Sequence, residues 1–263
     1  MVRTALTAIG MLSLIASAQA GLAQPTGGRL VAGHDANVLS TYTARDQEAR
    51  FAVNIARFIT QQHTGGNLLL IEPSITSTLH DYSPIVEQSL SSAGFNITVT
   101  QNTNWTAEEL ASFDGIFVGT IFDQPYRSVE KGALDTFLTS GGGVYLFSGM
   151  GPDREGEANA LNTFLTPYGL LFDSSQGPGN GGYNGIYNTS ITSDHELFDG
   201  ITALRSANGQ NLRFNESNFN ARIIQAGLQG EGLYGVVTNI VPAPGVIALS
   251  SIGGLLVLRR KRA

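Results

Sequence analysis

The sequence predicts a doubly wound, mostly parallel α/β sheet that a C-terminal β-hairpin extends. Three observations lead to this fold class. Short, uninterrupted apolar runs are typical of strands that are buried on both faces of a sheet. Segments with helical periodicity separate these runs, so that strands and helices alternate along the chain. Glycine-rich turns, such as Gly65-Gly66 and residues 141–143, mark the junctions between them.

The first part of the chain carries the clearest periodic patterns. From Arg45 to Gln61, apolar side chains recur at i, i+4, i+7 and i+8, which predicts one buried helical face. Thr106 and Glu109 have the spacing of a capping box, which predicts a helix that starts there. The predicted helices are 45–61, 82–93, 106–113, 128–139 and 157–168, and the predicted strands are 67–71, 95–100, 116–118 and 144–147.

The two ends of the domain are less regular. Residues 24–34 are rich in glycine, which predicts a loosely structured segment. We therefore expect residues 21–44 to be a lead-in that precedes the domain. The sequence predicts three further strands, over 186–191, 221–228 and 233–239. The last two strands are expected to form the hairpin. A single α/β domain is therefore expected over 45–240, between a leader over 1–20 and a tail over 241–263.

Four segments of the chain resemble the class I glutamine amidotransferase-like fold in its non-catalytic secreted relatives. They are residues 67–71, 113–118, 141–146 and 194–201. The last is similar to a His-Pro-apolar-Phe-x-Gly-Val stretch of such domains, with Glu196 in the place of the proline. The resemblance covers about residues 67–214 and implies an amidotransferase-like or flavodoxin-like sheet.

Ser148 and His195 are the candidate catalytic residues. Catalytic members of the amidotransferase-like fold place a cysteine on a tight turn after a central strand, and Ser148 occupies the matching turn. His195 follows in the chain order of a Ser–His pair. The nucleophile-elbow pattern requires glycine two residues before the serine, and Leu146 stands there instead. A serine hydrolase is thus one alternative; the other is that Ser148 merely turns the chain and His195 begins a packed turn.

Asp153, Glu155 and Glu157 are the candidate metal ligands. Carboxylates in a glycine-rich loop suit Ca²⁺, although the twelve-residue pattern of an EF-hand is missing. In the other interpretation, Asp153 and Glu157 lie at a helix N-terminus, where negative charge is favourable. The chain contains no cysteine, so thiol nucleophiles and thiolate metal sites are excluded.

No cofactor is expected from the sequence. The glycine-rich residues 177–185 lack the Lys-Ser/Thr ending of a phosphate loop. Trp105 and Tyr183 are aromatic candidates for stacking on a glycan, although single aromatic side chains usually serve packing.

The N-terminus predicts export. Arg3 precedes an apolar run over 5–15, and Ala18-Gln19-Ala20 matches an A-x-A cleavage site. We expect a signal peptide over 1–20 that engages the Sec translocon and is cut by signal peptidase after Ala20. An uncleaved membrane anchor is the alternative.

The domain between the two ends is acidic. The chain has 15 basic and 21 acidic residues. The signal peptide contains one base, the tail contains four, and neither contains an acid. The domain therefore has 10 basic and 21 acidic residues, which is a net charge of −11. This charge disfavours the binding of nucleic acid or anionic lipid through the domain surface.

The C-terminal segment 241–263 has three parts. A turn comes first, then an uncharged run from Val246 to Leu258, then a basic cluster. The turn residues are Val241, Pro242, Ala243, Pro244 and Gly245, and the bases are Arg259, Arg260, Lys261 and Arg262. As a helix the run would span roughly 20 Å, short of a bilayer core of roughly 30 Å. The bases would stay on the cytoplasmic side, which predicts a short transmembrane helix. An amphipathic or disordered basic tail is the alternative.

This order of parts resembles the PEP-CTERM sorting signal of exosortase-bearing bacteria, with Ala243 in the place of the usual glutamate. The resemblance implies export, transient anchoring in the inner membrane, cleavage near the proline motif by an exosortase, and a final place at the cell surface or outside the cell. It also implies an exopolysaccharide partner. We therefore expect a surface or matrix protein without evident catalysis; the alternatives are a Ser148–His195 hydrolase and a glycan- or Ca²⁺-binding module.

Overall fold

The computed structural model describes most of the domain. The described residues are 27–72, 81–102, 104–119, 128–148, 154–176, 186–207, 209–215 and 220–241. Outside them lie the signal segment with Ala18 and Ala20, the tail beyond Val241 with its sorting residues and apolar run, Asp153 and Tyr183. No helix within the described ranges is long and apolar enough to cross a membrane.

Strands and helices alternate along the chain as predicted. The strands are β1 Gly28–Gly33, β2 Asn67–Ile71, β3 Asn96–Thr100, β4 Gly115–Gly119, β5 Gly143–Phe147, β6 Leu170–Gln176, β7 Tyr187–Ser190, β8 Ala203–Ser206, β9 Gln210–Phe214, β10 Ala221–Ala226 and β11 Gly232–Ile240. The α-helices are α1 Asp46–Thr60, α2 Pro84–Ser92, α3 Ala107–Leu110, α4 Ser128–Thr139 and α5 Arg154–Leu165. Short 3₁₀ helices cover Ala36–Leu39, Thr166–Tyr168 and Glu196–Phe198.

The main sheet is mixed. Its strand order is β3-β2-β4-β5-β1-β11-β9-β6, and β10 pairs with β11 outside this path. The five strands from β3 to β1 are parallel, whereas β11, β9, β6 and β10 join through antiparallel pairs. This confirms the predicted mostly parallel α/β class and the hairpin of β10 and β11. The antiparallel part is larger than predicted, and β11 lies inside the sheet between β1 and β9.

Helices cover both faces of the sheet, as a doubly wound fold requires. Strand β2 shows the reason, since Leu68 and Leu70 enter one apolar core while Leu69 and Ile71 enter the other. The first core contains α1 and α2, and the second contains α3, α4 and α5. Phe51 and Ile55 of α1 are fully buried, so the periodicity that predicted this helix does face the core.

The structure corrects the predicted lead-in over 21–44. Residues 28–33 form β1, a central strand hydrogen-bonded to β5 on one side and to β11 on the other. Glycine here permits close packing rather than a loose segment, because a Cβ atom at Gly28 would lie 2.0 Å from the Leu138 carbonyl oxygen. The next residues are also buried, including Val38 and Leu39. The domain therefore begins well before Arg45.

Besides β1, three strands were not predicted. β6 and β9 pair with each other at the end of the main sheet, and β8 pairs with β7 in a separate two-stranded sheet. The predicted strand 186–191 is thus present as β7, but outside the main sheet. The predicted helix 157–168 starts earlier, at Arg154, and ends as a 3₁₀ turn.

Candidate functional site

A buried polar centre lies at the carboxyl ends of β1 and β5, the edge where open α/β sheets bind ligands. The chain leaves β1 into His34 and leaves β5 into Ser148, and β11 places Tyr234 opposite Gly33. Parallel pairing of β1 with β5 brings these strand ends together. We define the polar centre as the buried residues His34, Asp35, Glu48, Tyr145, Ser148, Ser206, Gln210 and Tyr234.

Ser148 is held by hydrogen bonds on both its main chain and its side chain. Its N–H donates to the Gly33 carbonyl at 3.2 Å, and its carbonyl accepts from the Ala36 N–H at 2.7 Å. Its hydroxyl donates to the His34 carbonyl and accepts from the Gln210 N–H. The side chain is fully buried. Ser148 therefore joins the ends of β5, β1 and β9, and its hydroxyl proton is already donated to a backbone carbonyl.

Two buried carboxylates close the polar centre against the small sheet of β7 and β8. Asp35 accepts from the N–H of Asn37 at 2.8 Å and of Ala207 at 2.5 Å. Glu48, in the first turn of α1, accepts from the N–H of Arg205 at 2.7 Å. Asp35 thus holds the chain just after β8 beside the end of β1, and Glu48 holds β8 at the N-terminus of α1.

Several polar atoms of the centre are buried without a hydrogen-bond partner among the described residues. They are both ring nitrogens of His34, the hydroxyls of Tyr145 and Tyr234, the hydroxyl of Ser206 and the side-chain oxygen of Gln210. Burial lowers the pKa of His34 from 6.5 to about 4, so its ring is neutral at pH 7. Burial also raises the pKa of both tyrosines, and the nearby Asp35 carboxylate adds to the effect. The centre thus holds a neutral imidazole and neutral hydroxyls beside the Asp35 carboxylate.

His195 lies on the face of the sheet that α1 covers, beside the C-terminal part of that helix. Its ring contacts Phe58 with a centroid distance of 5.4 Å, and the Arg29 guanidinium lies 4.7 Å above the same Phe58 ring. Arg29 is near the amino end of β1, whereas Ser148 is bound to Gly33 at its carboxyl end. Four residue steps along a strand span about 13 Å. The structure therefore does not bring Ser148 and His195 together.

His195 instead has a structural role in its own turn. Its Nδ1 accepts the Leu197 N–H at 3.2 Å, which caps the 3₁₀ helix Glu196–Phe198. Burial, followed by the positive charge of Arg222, lowers the pKa of its imidazole. This arrangement agrees with the interpretation of His195 as the first residue of a packed turn.

The candidate metal ligands do not converge among the described residues. Glu155 and Glu157 both lie in the first turn of α5, where Glu155 is exposed and Glu157 is buried. No group of three or more His, Asp or Glu side chains in the described ranges could hold a metal ion. The position of both glutamates is the favourable one for negative charge at a helix N-terminus.

A groove of about 910 Å³ lies between α1, α2 and the turn at residues 196–200. Its lining includes Arg50, Asn54 and Arg57 of α1, Gln88 of α2, and Asp199. No Phe, Tyr or Trp is among the described residues that line it, so it lacks the aromatic platform of a typical glycan site. Trp105 is used elsewhere, because its indole N–H donates to the Asn102 carbonyl and its ring packs on Phe113.

Sequence reasoning identified Ser148 of the polar centre and missed the other members. His34 and Asp35 fell in the segment that was predicted as a lead-in. The signal for them was present, because the apolar residues 30–32 lead into polar residues as at the other strand ends. Glu48 gave no such signal, since an acid in the first turn of an amphipathic helix usually faces solvent.

Comparison with known proteins gives one remote structural similarity. No protein-family model matches the sequence, and no curated protein sequence matches it. Among solved structures, the chain is similar to the 1.5 Å crystal structure of a protein assigned by name to peptidase E, from Listeria monocytogenes EGD-e. The identity is 13%, the TM-score is 0.32, and the match covers 50% of this chain and 60% of that one. A likeness of this degree does not assign an activity to the polar centre.

Proposed function

We propose that this chain is an exported protein that its C-terminal segment holds at a membrane and that is then released to the cell surface or the extracellular matrix. The observation that carries the proposal is the three-part segment itself: a turn with two prolines, an uncharged apolar run and four terminal bases. The N-terminal Ala18-Gln19-Ala20 site agrees with it, because a surface protein must first pass the Sec translocon and signal peptidase.

The length of the apolar run favours a temporary hold over a permanent span. Roughly 20 Å of helix is shorter than the hydrocarbon core, which favours local thinning of the bilayer and snorkelling of the flanking bases. Cleavage near Pro242-Ala243-Pro244 would separate the domain from this weak anchor. An exosortase is the proposed processing enzyme, and exopolysaccharide is the proposed partner after release.

We further propose that the domain does not act as a Ser148 hydrolase. A serine nucleophile needs a base within hydrogen-bond reach to take its proton. The Ser148 hydroxyl donates to the His34 carbonyl, and His195 lies near the other end of β1. Equal ester- and amide-hydrolysing activity of the wild type and Ser148→Ala would support this; an activity lost only in the variant would contradict it.

Mass spectrometry of the mature C-terminus tests the sorting proposal. We expect a chain that ends near Pro242 to Gly245 and a precursor that sediments with membranes. The matched control replaces Arg259, Arg260, Lys261 and Arg262 by glutamine, which keeps the length but removes the charges that stop translocation. We expect this variant to be absent from the membrane fraction and to keep an uncleaved C-terminus. A mature wild-type protein that still ends in Arg-Arg-Lys-Arg would contradict cleavage.

A further inference from the structure

The chain enters and leaves the domain at neighbouring points. Gly28, at the start of β1, pairs with Ile240, at the end of β11. The Gln61 side chain donates to the Gly27 carbonyl, which ties the entering strand to the end of α1. Both points lie at the amino ends of the parallel strands. We call this side of the sheet the exit edge, and the side with the polar centre the carboxyl edge.

The connection from the exit edge to the apolar run is short. Val241 is exposed beside the exit edge, and five residue steps separate it from Val246. A fully extended chain of that length spans at most about 17 Å. Strand β11, from Gly232 to Ile240, covers eight residue steps, or about 26 Å between the two edges. The connection is therefore too short for the carboxyl edge to lie against a bilayer that the apolar run has entered.

The charges of the two edges favour the same orientation as the length of the connection. Helices that follow parallel strands begin at the carboxyl edge, and the first turns of α1, α2, α3 and α5 are acidic. Arg45 and Arg154 are bases at the starts of α1 and α5, and Glu48 and Glu157 are buried. The remaining acids, which are exposed or half-buried, outnumber these bases: Asp46, Glu87, Glu108, Glu109 and Glu155. The exit edge carries Arg29 and, in the last turn of α1, Arg57, while Asp114 at this edge accepts the Asn67 N–H. An anionic lipid surface would repel the carboxyl edge more strongly than the exit edge.

We propose that the tethered domain stands on the bilayer with its exit edge toward the lipid and its carboxyl edge toward the outside. The inference rests on the proposed function, because only an anchored chain has an orientation. It goes further by assigning the surface that meets other molecules: extracellular partners approach the acidic helix starts above the polar centre, and the lipid surface approaches Arg29, Arg57 and the strand amino ends.

The chain is suited to a direct test because it contains no cysteine. Single cysteines for a fluorophore are introduced at exposed positions of each edge. Thr64→Cys and Ser140→Cys mark the exit edge, and Glu108→Cys and Leu228→Cys mark the carboxyl edge. Each full-length variant is reconstituted into vesicles of phosphatidylcholine and phosphatidylglycerol, with and without a lipid that carries a nitroxide on its headgroup.

We expect the nitroxide lipid to cause a loss of fluorescence at positions 64 and 140, with the fluorescence at 108 and 228 retained. Equal loss at all four positions, or a greater loss at 108 and 228, would overturn the orientation. Flotation of the same vesicles tests the anchor separately. Variants that float but show no difference between the edges refute the orientation alone, whereas a chain that does not float refutes the proposed membrane anchoring and the orientation with it.

Discussion

Acidification is expected to destabilise the domain through His34, whose imidazole is buried at the carboxyl end of β1. The ring makes an edge contact with Tyr234 of β11, with a centroid distance of 5.2 Å, and neither ring nitrogen has a hydrogen-bond partner among the described residues. The other titratable groups of the polar centre are Asp35, the Glu48 carboxylate on α1 and the Tyr145 hydroxyl on β5. Protonation would place a charge in this surrounding, which is unfavourable.

The sign and size of the effect follow from the pKa of His34. Burial lowers it from 6.5 to about 4, so the unfolded chain takes up a proton at a pH where the folded domain does not. The stability contribution is complete above pH 6.5 and is lost as the pH falls toward 4. At about 1.4 kcal/mol per pKa unit, the whole loss amounts to about 3 kcal/mol, of which about 2 kcal/mol is lost by pH 5.

Urea unfolding at about pH 7.5 and about pH 5 measures this loss. We expect the free energy of unfolding of the wild type to fall by about 2 kcal/mol more than that of His34→Gln, which cannot take up the proton. His63→Gln is the matched control, because His63 is exposed, and it should follow the wild type. Carboxylates titrate in all three proteins and cancel in the comparison. The same loss in His34→Gln and wild type would refute the reasoning.

Three further predictions concern the stability of the fold. Ser148→Ala should lower the free energy of unfolding by about 1 kcal/mol, because it removes a fully buried hydroxyl that bonds the His34 carbonyl and the Gln210 N–H, although these two groups remain bonded to each other. The exposed Ser140→Ala is its control, and equal melting temperatures would contradict the structural role. Gly143→Ala should reduce the yield of soluble protein, because its Cβ would lie 2.2 Å from the Ile59 carbonyl oxygen; a normal yield and melting curve would argue against this close packing. Thr106→Ala should cost about 1 kcal/mol in urea unfolding by removing the capping box of α3, and an unchanged midpoint would show that the box does not stabilise the domain.

The elements that could be predicted are those in which local pattern and final environment agree. Helix α1 has one continuous apolar face, and strand β2 is an apolar run between polar turns, so each is specified by its own residues. The capping box of Thr106 and Glu109 is likewise local, and both of its hydrogen bonds are present. Such short-range signals gave the α/β class and most helix and strand positions.

The remaining features depend on contacts that the sequence does not encode locally. Strand β1 has glycine at both ends because neighbouring elements approach it closely there. These neighbours are distant in the sequence and are seen only in the folded structure. The polar centre unites His34 with Tyr234, which are 200 positions apart in the chain. Ser148 was identified as a polar residue after a strand, but only the fold gave its partners and its separation from His195.

The position of β11 has a consequence for the time course of folding. The last strand of the domain pairs with the first, so that β1 lacks a neighbour on one side until residues 232–240 are available. Pairings across such a long stretch of chain form slowly, because the loop must be closed before any contact compensates for the lost entropy. A nascent chain that lacks β11 therefore cannot complete its sheet. Under the export that we propose, this late closing step would keep the chain competent for translocation until its C-terminal residues have been made.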